Sequence, residues 1–126
     1  MIDIKKILYV EDEEDIQTIA RIALEDIGGF TLEVCSSGEE ALQKAEAFGP
    51  DLMLLDVMMP GLDGPATLAS LRKIDALKDV PAIFMTAKVQ PHEVEHFKSI
   101  GAVDVIAKPF DPMTLAQTLK EVVNNV

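Results

Sequence analysis

The sequence predicts an α/β fold: a five-stranded parallel sheet with helices on both faces. Two observations carry this. Short apolar runs alternate five times with helical patterns, as in successive βα units. The third run, Leu52-Met53-Leu54-Leu55, is apolar at consecutive positions, as in a mid-sheet strand covered on both sides. With 126 residues, 48% of them hydrophobic, the chain suits one domain over residues 1–126 around one core, with no output domain beside it.

Each element has its own signal. Ile7-Leu8-Tyr9-Val10 reads as the first strand, and the helix after it carries Ile16, Ala20, Ala23 and Ile27 on one stripe until Gly28-Gly29 ends it. Residues 30–35 form the second, less regular strand. Ser36 and Ser37 stand three residues before Glu39 and Glu40, so either pair can build a capping box for the helix bearing Ala41, Leu42, Ala45 and Phe48. Gly49-Pro50 closes that helix. After the third strand, Met59-Pro60-Gly61-Leu62-Asp63-Gly64 is turn chemistry, and Pro65 opens a helix through Leu68, Leu71 and Ile74. Pro81 leads into the fourth strand, Ala82-Ile83-Phe84-Met85. Pro91 starts a helix with Val94, Phe97 and Ile100 on one stripe, and Gly101 stops it. Residues 103–107 form a short fifth strand, and a last helix from near Asp111-Pro112 shows Leu115, Leu119 and Val122.

Charge narrows the function. Eleven basic against twenty-two acidic residues give a net charge of −11, which repels nucleic-acid backbones and anionic lipid and favours cations or basic partners. Direct nucleic-acid binding and membrane insertion are not expected. The start Met1-Ile2-Asp3-Ile4-Lys5-Lys6 lacks a signal-type apolar segment, so a cytoplasmic location is expected, and the single Cys35 reads as a reduced, partly buried thiol.

The informative residues stand where strands end. Glu11 and Asp12 follow the first strand, Asp56 the third, Thr86 the fourth and Lys108 the fifth. A carboxylate at the exit of a buried strand is costly unless negative charge is needed there, so three of them point to a divalent cation and phosphate chemistry. In a parallel sheet these exits share one edge, where ligands of open α/β sheets bind. Taken singly, Glu11 and Asp12 also read as a solvated strand end, Asp56 as a turn aspartate, Thr86 as a strand residue and Lys108 as a surface charge.

Together the segments Ile7-Leu8-Tyr9-Val10-Glu11-Asp12-Glu13, Asp51-Leu52-Met53-Leu54-Leu55-Asp56 continuing to Gly64, Ile83-Phe84-Met85-Thr86-Ala87-Lys88 and Gly101-Ala102-Val103-Asp104 continuing to Lys108-Pro109-Phe110 resemble the receiver domain of two-component response regulators, in size the stand-alone chemotaxis-regulator type. The resemblance implies a flavodoxin-like doubly wound sheet of strand order 2-1-3-4-5, an order known for the chemotaxis regulator. It implies Asp56 as phosphoacceptor, with Mg2+, or Mn2+ in its place, held by Glu11, Asp12, Asp56 and the Met58 backbone carbonyl. Lys108 and Thr86 would contact the phosphoryl oxygens, Ala87 would leave space beside the acceptor, and Lys88 would tune access. The Lys108-Pro109 bond would be cis. The partners implied are a histidine kinase or histidine phosphotransfer protein and an unidentified downstream protein, with room for a homodimer on activation; no catalysis is implied beyond the domain's own phosphorylation and dephosphorylation. The chain departs from the family in two places. Val105 stands where an aromatic ring is common, and Glu11 where many members carry Asp.

Two other readings use other features. A phosphorylation-silent binding module would keep the fold without the chemistry. His92-Glu93-Val94-Glu95-His96 matches H-E-x-x-H, with its histidines four apart on a predicted helix, and so raises a zinc peptidase acting through His92, Glu93 and His96. Pro91 puts this motif in a first helical turn, where acids also suit the helix dipole, and a docking face including His92, His96 and Val105 is the simpler expectation.

Overall fold

The computed structural model describes residues 3–125; Met1, Ile2 and Val126, the ends of the domain expected over 1–126, lie outside it. Five parallel strands, β1 (Lys6–Val10), β2 (Thr31–Cys35), β3 (Leu52–Asp56), β4 (Ala82–Thr86) and β5 (Asp104–Ala107), pair in the order β2-β1-β3-β4-β5. The helices are α1 (Glu14–Arg21), α2 (Gly38–Phe48), α3 (Gly64–Leu71), α4 (Pro91–Ser99) and α5 (Leu115–Asn124). The chain therefore adopts the doubly wound fold expected from its alternating runs. Every residue of the central strand β3 is buried, which accounts for its consecutive apolar sequence. No described helix is long and apolar enough to cross a membrane.

Strand alternation divides the core in two. Ile7, Tyr9, Leu54, Met85 and Ile106 face α1 and α5, where they meet Ala20, Ala23, Leu24, Leu115 and Leu119. Leu8, Val10, Leu55 and Phe84 face the other way, onto Ala41, Ala45, Leu68 and Leu71 of α2 and α3. This parity later decides which strand-end side chains can meet.

Local chemistry explains most boundaries. Ser37 caps α2 by accepting the Glu40 N–H at 3.1 Å, while Glu40 reaches back to the Ser36 N–H, one residue before the usual capping-box partner. Asp63 caps α3 by accepting the Ala66 N–H at 2.9 Å, and Pro65 sits just inside the helix start.

Four helix stripes differ from expectation, those of α1, α3, α5 and α4. α1 widens into a π-helical segment at Ile22–Ile27, closed by the Gly28 N–H on the Ala23 carbonyl at 3.1 Å. The changed winding leaves Leu24 buried and Ile27 46% exposed, so Leu24 takes the core place expected of Ile27. α3 ends at Leu71, and Ile74 lies beyond it, ahead of a 3-10 turn at Asp75–Leu77 that buries Leu77. In α5 the buried residue of the last turn is Val123, with Val122 only half-buried, and residues 112–114 form turns before the helix begins.

α4 is the shallowest helix, with none of its described residues fully buried. Phe97 anchors it, its ring 5.2 Å from that of Phe84 and tilted by 59°. Ile100, expected on the same stripe, is 40% exposed.

Candidate functional site

The carboxyl ends of β1, β3, β4 and β5 bring the strand-end residues to one edge. Glu11 continues past β1, its N–H still bonded to the Cys35 carbonyl at 3.0 Å, and Gln17 of α1 donates its side-chain amide to the Glu11 carbonyl. Asp56 closes β3, and the next N–H, from Val57, bonds the Met85 carbonyl at 3.0 Å. Lys108 follows β5 and donates its N–H to the Thr86 carbonyl at 3.0 Å. The Lys108–Pro109 peptide bond is cis.

Parity aims three of these side chains into the same space. Glu11, Asp56 and Lys108 each lie two residues beyond a residue that faces α1 and α5: Tyr9, Leu54 and Ile106. Carboxylate oxygens of Glu11, Asp12 and Asp56 all lie within 4.8 Å of one another. The Lys108 ammonium is shared, 2.9 Å from Glu11 Oε1 and 3.1 Å from Asp56 Oδ1. Of its two partners Glu11 is the nearer.

Burial makes this cluster electrostatically tense. Glu11 is fully buried and Asp56 is 3% exposed. Burial, with repulsion between them, raises the carboxyl of Glu11 above its ordinary range despite the Lys108 hydrogen bond. Asp56 is raised as well, burial again outweighing Lys108, with Asp12 adding repulsion. Burial pulls Lys108 down, but its hydrogen bonds to Glu11 and Asp56 outweigh that and hold it above its usual value, a firmly charged ammonium. Three carboxylates against one ammonium leave two negative charges unmatched when all are ionised, the charge of one divalent cation. The donors are hard oxygens, the ligand type for Mg2+ or Mn2+.

Thr86 is placed differently. It shares parity with Ala82 and Phe84, on the α2, α3 and α4 side of the sheet, and its hydroxyl accepts the Lys88 N–H at 3.1 Å. It stands at the edge of the site without a hydrogen bond to Asp56 among the described residues. Ala87 and Lys88 are exposed beside it, and Met58, two residues past Asp56, is 71% exposed. Val105 packs half-buried on the Phe84 side. Next to Lys108, an apolar hollow of about 360 Å3 is lined by Glu13, Ile16, Ile19, Pro109 and Phe110.

The H-E-x-x-H segment does not assemble as a metal centre. His92 and His96 are both exposed on α4, and Glu93 accepts the Gln90 N–H at 3.3 Å as a helix cap. Among the described residues, the one cluster of three or more side chains able to hold a metal is Glu11, Asp12 and Asp56.

Two residues of the site were not singled out by the sequence. Tyr9, which reads as one more apolar residue of the first strand, is fully buried with its hydroxyl 3.4 Å from Glu11 Oε1. Gly64, which reads as turn chemistry, packs so closely that a Cβ there would lie 2.4 Å from the Asp56 carbonyl oxygen. The only advance sign of the second was a glycine directly before a helix-starting proline.

Comparison with known proteins is consistent along nearly the whole chain. Residues 7–120 match the family described as the response regulator receiver domain. The chain is 40% identical over 118 residues to the alkaline phosphatase synthesis transcriptional regulatory protein PhoP of Bacillus subtilis (strain 168), covering 94% of this chain and 48% of that protein. It is 35% identical over 122 residues to the transcriptional regulatory protein CseB of Streptomyces coelicolor, covering 97% and 50%. The chain thus spans about half the length of these curated relatives. Among solved structures, chemotaxis protein CheY4 of Vibrio cholerae superposes with a TM-score of 0.87 at 32% identity, over 95% of this chain and 99% of that one. The signal receiver domain of a signal transduction histidine kinase from Syntrophus aciditrophicus gives 0.80 at 32% identity, over 97% and 92%.

Proposed function

Because the chain belongs to the response regulator receiver domain family, we propose that it accepts a phosphoryl group on Asp56 from a histidine kinase or histidine phosphotransfer protein and signals by changing a docking face. The observation that carries this is the buried Asp56 carboxylate at the end of the central strand, 3.1 Å from the Lys108 ammonium and clustered with Glu11 and Asp12. An Asp56 oxygen attacks phosphorus, the bond from phosphorus to the donor's imidazole nitrogen breaks, and that nitrogen keeps the electron pair. Lys108, with two acceptors already in reach, can release Asp56 and follow the charge outward onto a phosphoryl oxygen while keeping Glu11. Thr86 turns its hydroxyl from the Lys88 N–H to a second phosphoryl oxygen, and that exchange moves the start of α4.

Glu11, Asp12 and Asp56, with the Met58 backbone carbonyl, would hold Mg2+, or Mn2+ in its place. When bound, the ion neutralises charge on the transferring phosphoryl group. The residues fit it because their unmatched charge is two and their donors are all oxygen. The chemistry extends no further than the domain's own phosphorylation and its reversal. The donor approaches over the hollow at Ile16, Ile19, Pro109 and Phe110, beside Lys108. The shallow α4, with exposed His92 and His96, and β5 at Val105 form the face that changes. The transcriptional roles in the relatives' names belong to proteins twice this length.

The test is incubation with a small acyl-phosphate and Mg2+, followed by intact mass. A labile phosphoryl adduct on wild type that is absent from Asp56→Asn is expected. No adduct, or the same adduct on both, refutes the acceptor assignment.

A further inference from the structure

Tyr9 is the chain's one tyrosine, and its fully buried hydroxyl finds its one hydrogen-bond partner among the described residues in Glu11 Oε1, at 3.4 Å. A buried hydroxyl left without a partner is destabilising, and at Tyr9, Glu11 is what supplies that partner. The hydroxyl oxygen points at the site. Glu11 Oε1 also accepts Lys108 Nζ at 2.9 Å, and Oε2 accepts the Glu13 N–H at 3.2 Å. Three protein donors therefore bear on this carboxylate, the phenol at the longest reach, and one of them, Lys108, also reaches Asp56.

We propose that Tyr9 is a positioning residue for the phosphoryl-transfer site: its phenol holds Glu11 turned toward Lys108, so that the ammonium is divided between Glu11 and Asp56 rather than closing on Asp56 alone. The inference rests on the reading of Asp56 as acceptor. An ammonium committed to Asp56 ties up the lone pairs of the attacking oxygen and must be withdrawn before transfer. An ammonium shared with Glu11 has a partner to fall back on. Glu11 itself need not bind a cation directly for this; it acts as the rest position of Lys108.

Tyr9→Phe removes one oxygen and keeps the ring, so the core on the α1 and α5 side is retained. The maximal rate of phosphorylation by a small acyl-phosphate at saturating Mg2+ should fall about 10-fold, the low end for outer-shell partners, with the half-saturating donor concentration unchanged. In a Glu11→Ala background the same substitution should cost less than about twofold, because the hydroxyl acts through Glu11. A purely structural tyrosine would give equal losses in both backgrounds. Tyr9 also reports on its own contact, since the chain has no tryptophan, and its emission should change in Glu11→Ala without any donor or metal. A Tyr9→Phe rate within twofold of wild type, additive losses, or an emission spectrum indifferent to Glu11 each overturn the proposal. If wild type takes no phosphoryl group at all, the acceptor reading fails, and the emission result alone decides whether Tyr9 holds Glu11.

Discussion

Replacing Gly64 with alanine should damage the site from behind. The added Cβ would stand 2.4 Å from the Asp56 carbonyl oxygen and 2.9 Å from Val57 Cα, where ordinary contact begins near 3.4 Å. About 1 Å of movement is needed, and both obstacles are backbone. Nor can the glycine simply swing away, because its N–H is bonded to the Val57 carbonyl at 3.0 Å. Overpacking of this kind costs about 1–3 kcal/mol. For a domain of this size that is a fall in melting temperature of roughly 4–12 °C. The displaced element is the end of β3 that carries Asp56, the proposed acceptor, and a misplacement of about 1 Å at a reacting group can cost ~100-fold in rate. Thermal unfolding by circular dichroism and the acyl-phosphate phosphorylation rate measure the two effects on one sample. Stability within 0.5 kcal/mol of wild type, the usual surface-substitution range, together with an unchanged rate, would refute the claim that this turn braces the acceptor.

Other perturbations follow from the same geometry. Lys108→Ala leaves Glu11 and Asp56 buried without their cation and should cost about 3 kcal/mol in urea unfolding without a dication. That is the low end for a broken buried pair, since Lys108 keeps 18% exposure, and millimolar Mg2+ should restore most of it; no rescue would contradict a shared charge site. Both carboxyls are raised, so the folded chain takes up protons more readily there than the unfolded chain does. Their contribution should therefore increase stability as pH falls toward the ordinary carboxylate range near ~4, and a Glu11→Gln, Asp56→Asn double variant should show a flatter profile; identical slopes would sink this. Phe97→Leu removes the ring contact with Phe84, worth about 0.5–1.5 kcal/mol beyond area burial. Hydrogen exchange should then speed up in α4 ahead of the sheet, and unchanged α4 protection would contradict its role as anchor.

What the sequence made legible was what depends on chain order and strand parity. Consecutive apolar residues in β3 revealed a central strand, and parallel pairing turned distant Glu11, Asp56 and Lys108 into neighbours. The strand order itself came with the family resemblance rather than from periodicity. Details set by packing were not legible. Nothing in a linear reading distinguishes the Tyr9 hydroxyl from another core ring, or tells that Lys108 reaches Glu11 before Asp56. The π-helical segment packs on α5 and β2, and the stripe expected to include Ile27 passed to Leu24. Thr86 was read as a member of the cluster because it ends a strand, yet its parity turns it to the other face. Under the proposed function Thr86 would reach the site by a movement, which no static sequence pattern encodes.

The most direct measurement is borohydride trapping after exposure to acyl-phosphate and Mg2+, with peptide mapping by mass spectrometry, since reduction of an aspartyl phosphate leaves homoserine at the modified position. Homoserine at residue 56, dependent on both donor and Mg2+, is the expected result. Modification at Glu11 or Asp12 instead, an equal yield in the presence of a chelator, or no reduced residue at all would contradict the account.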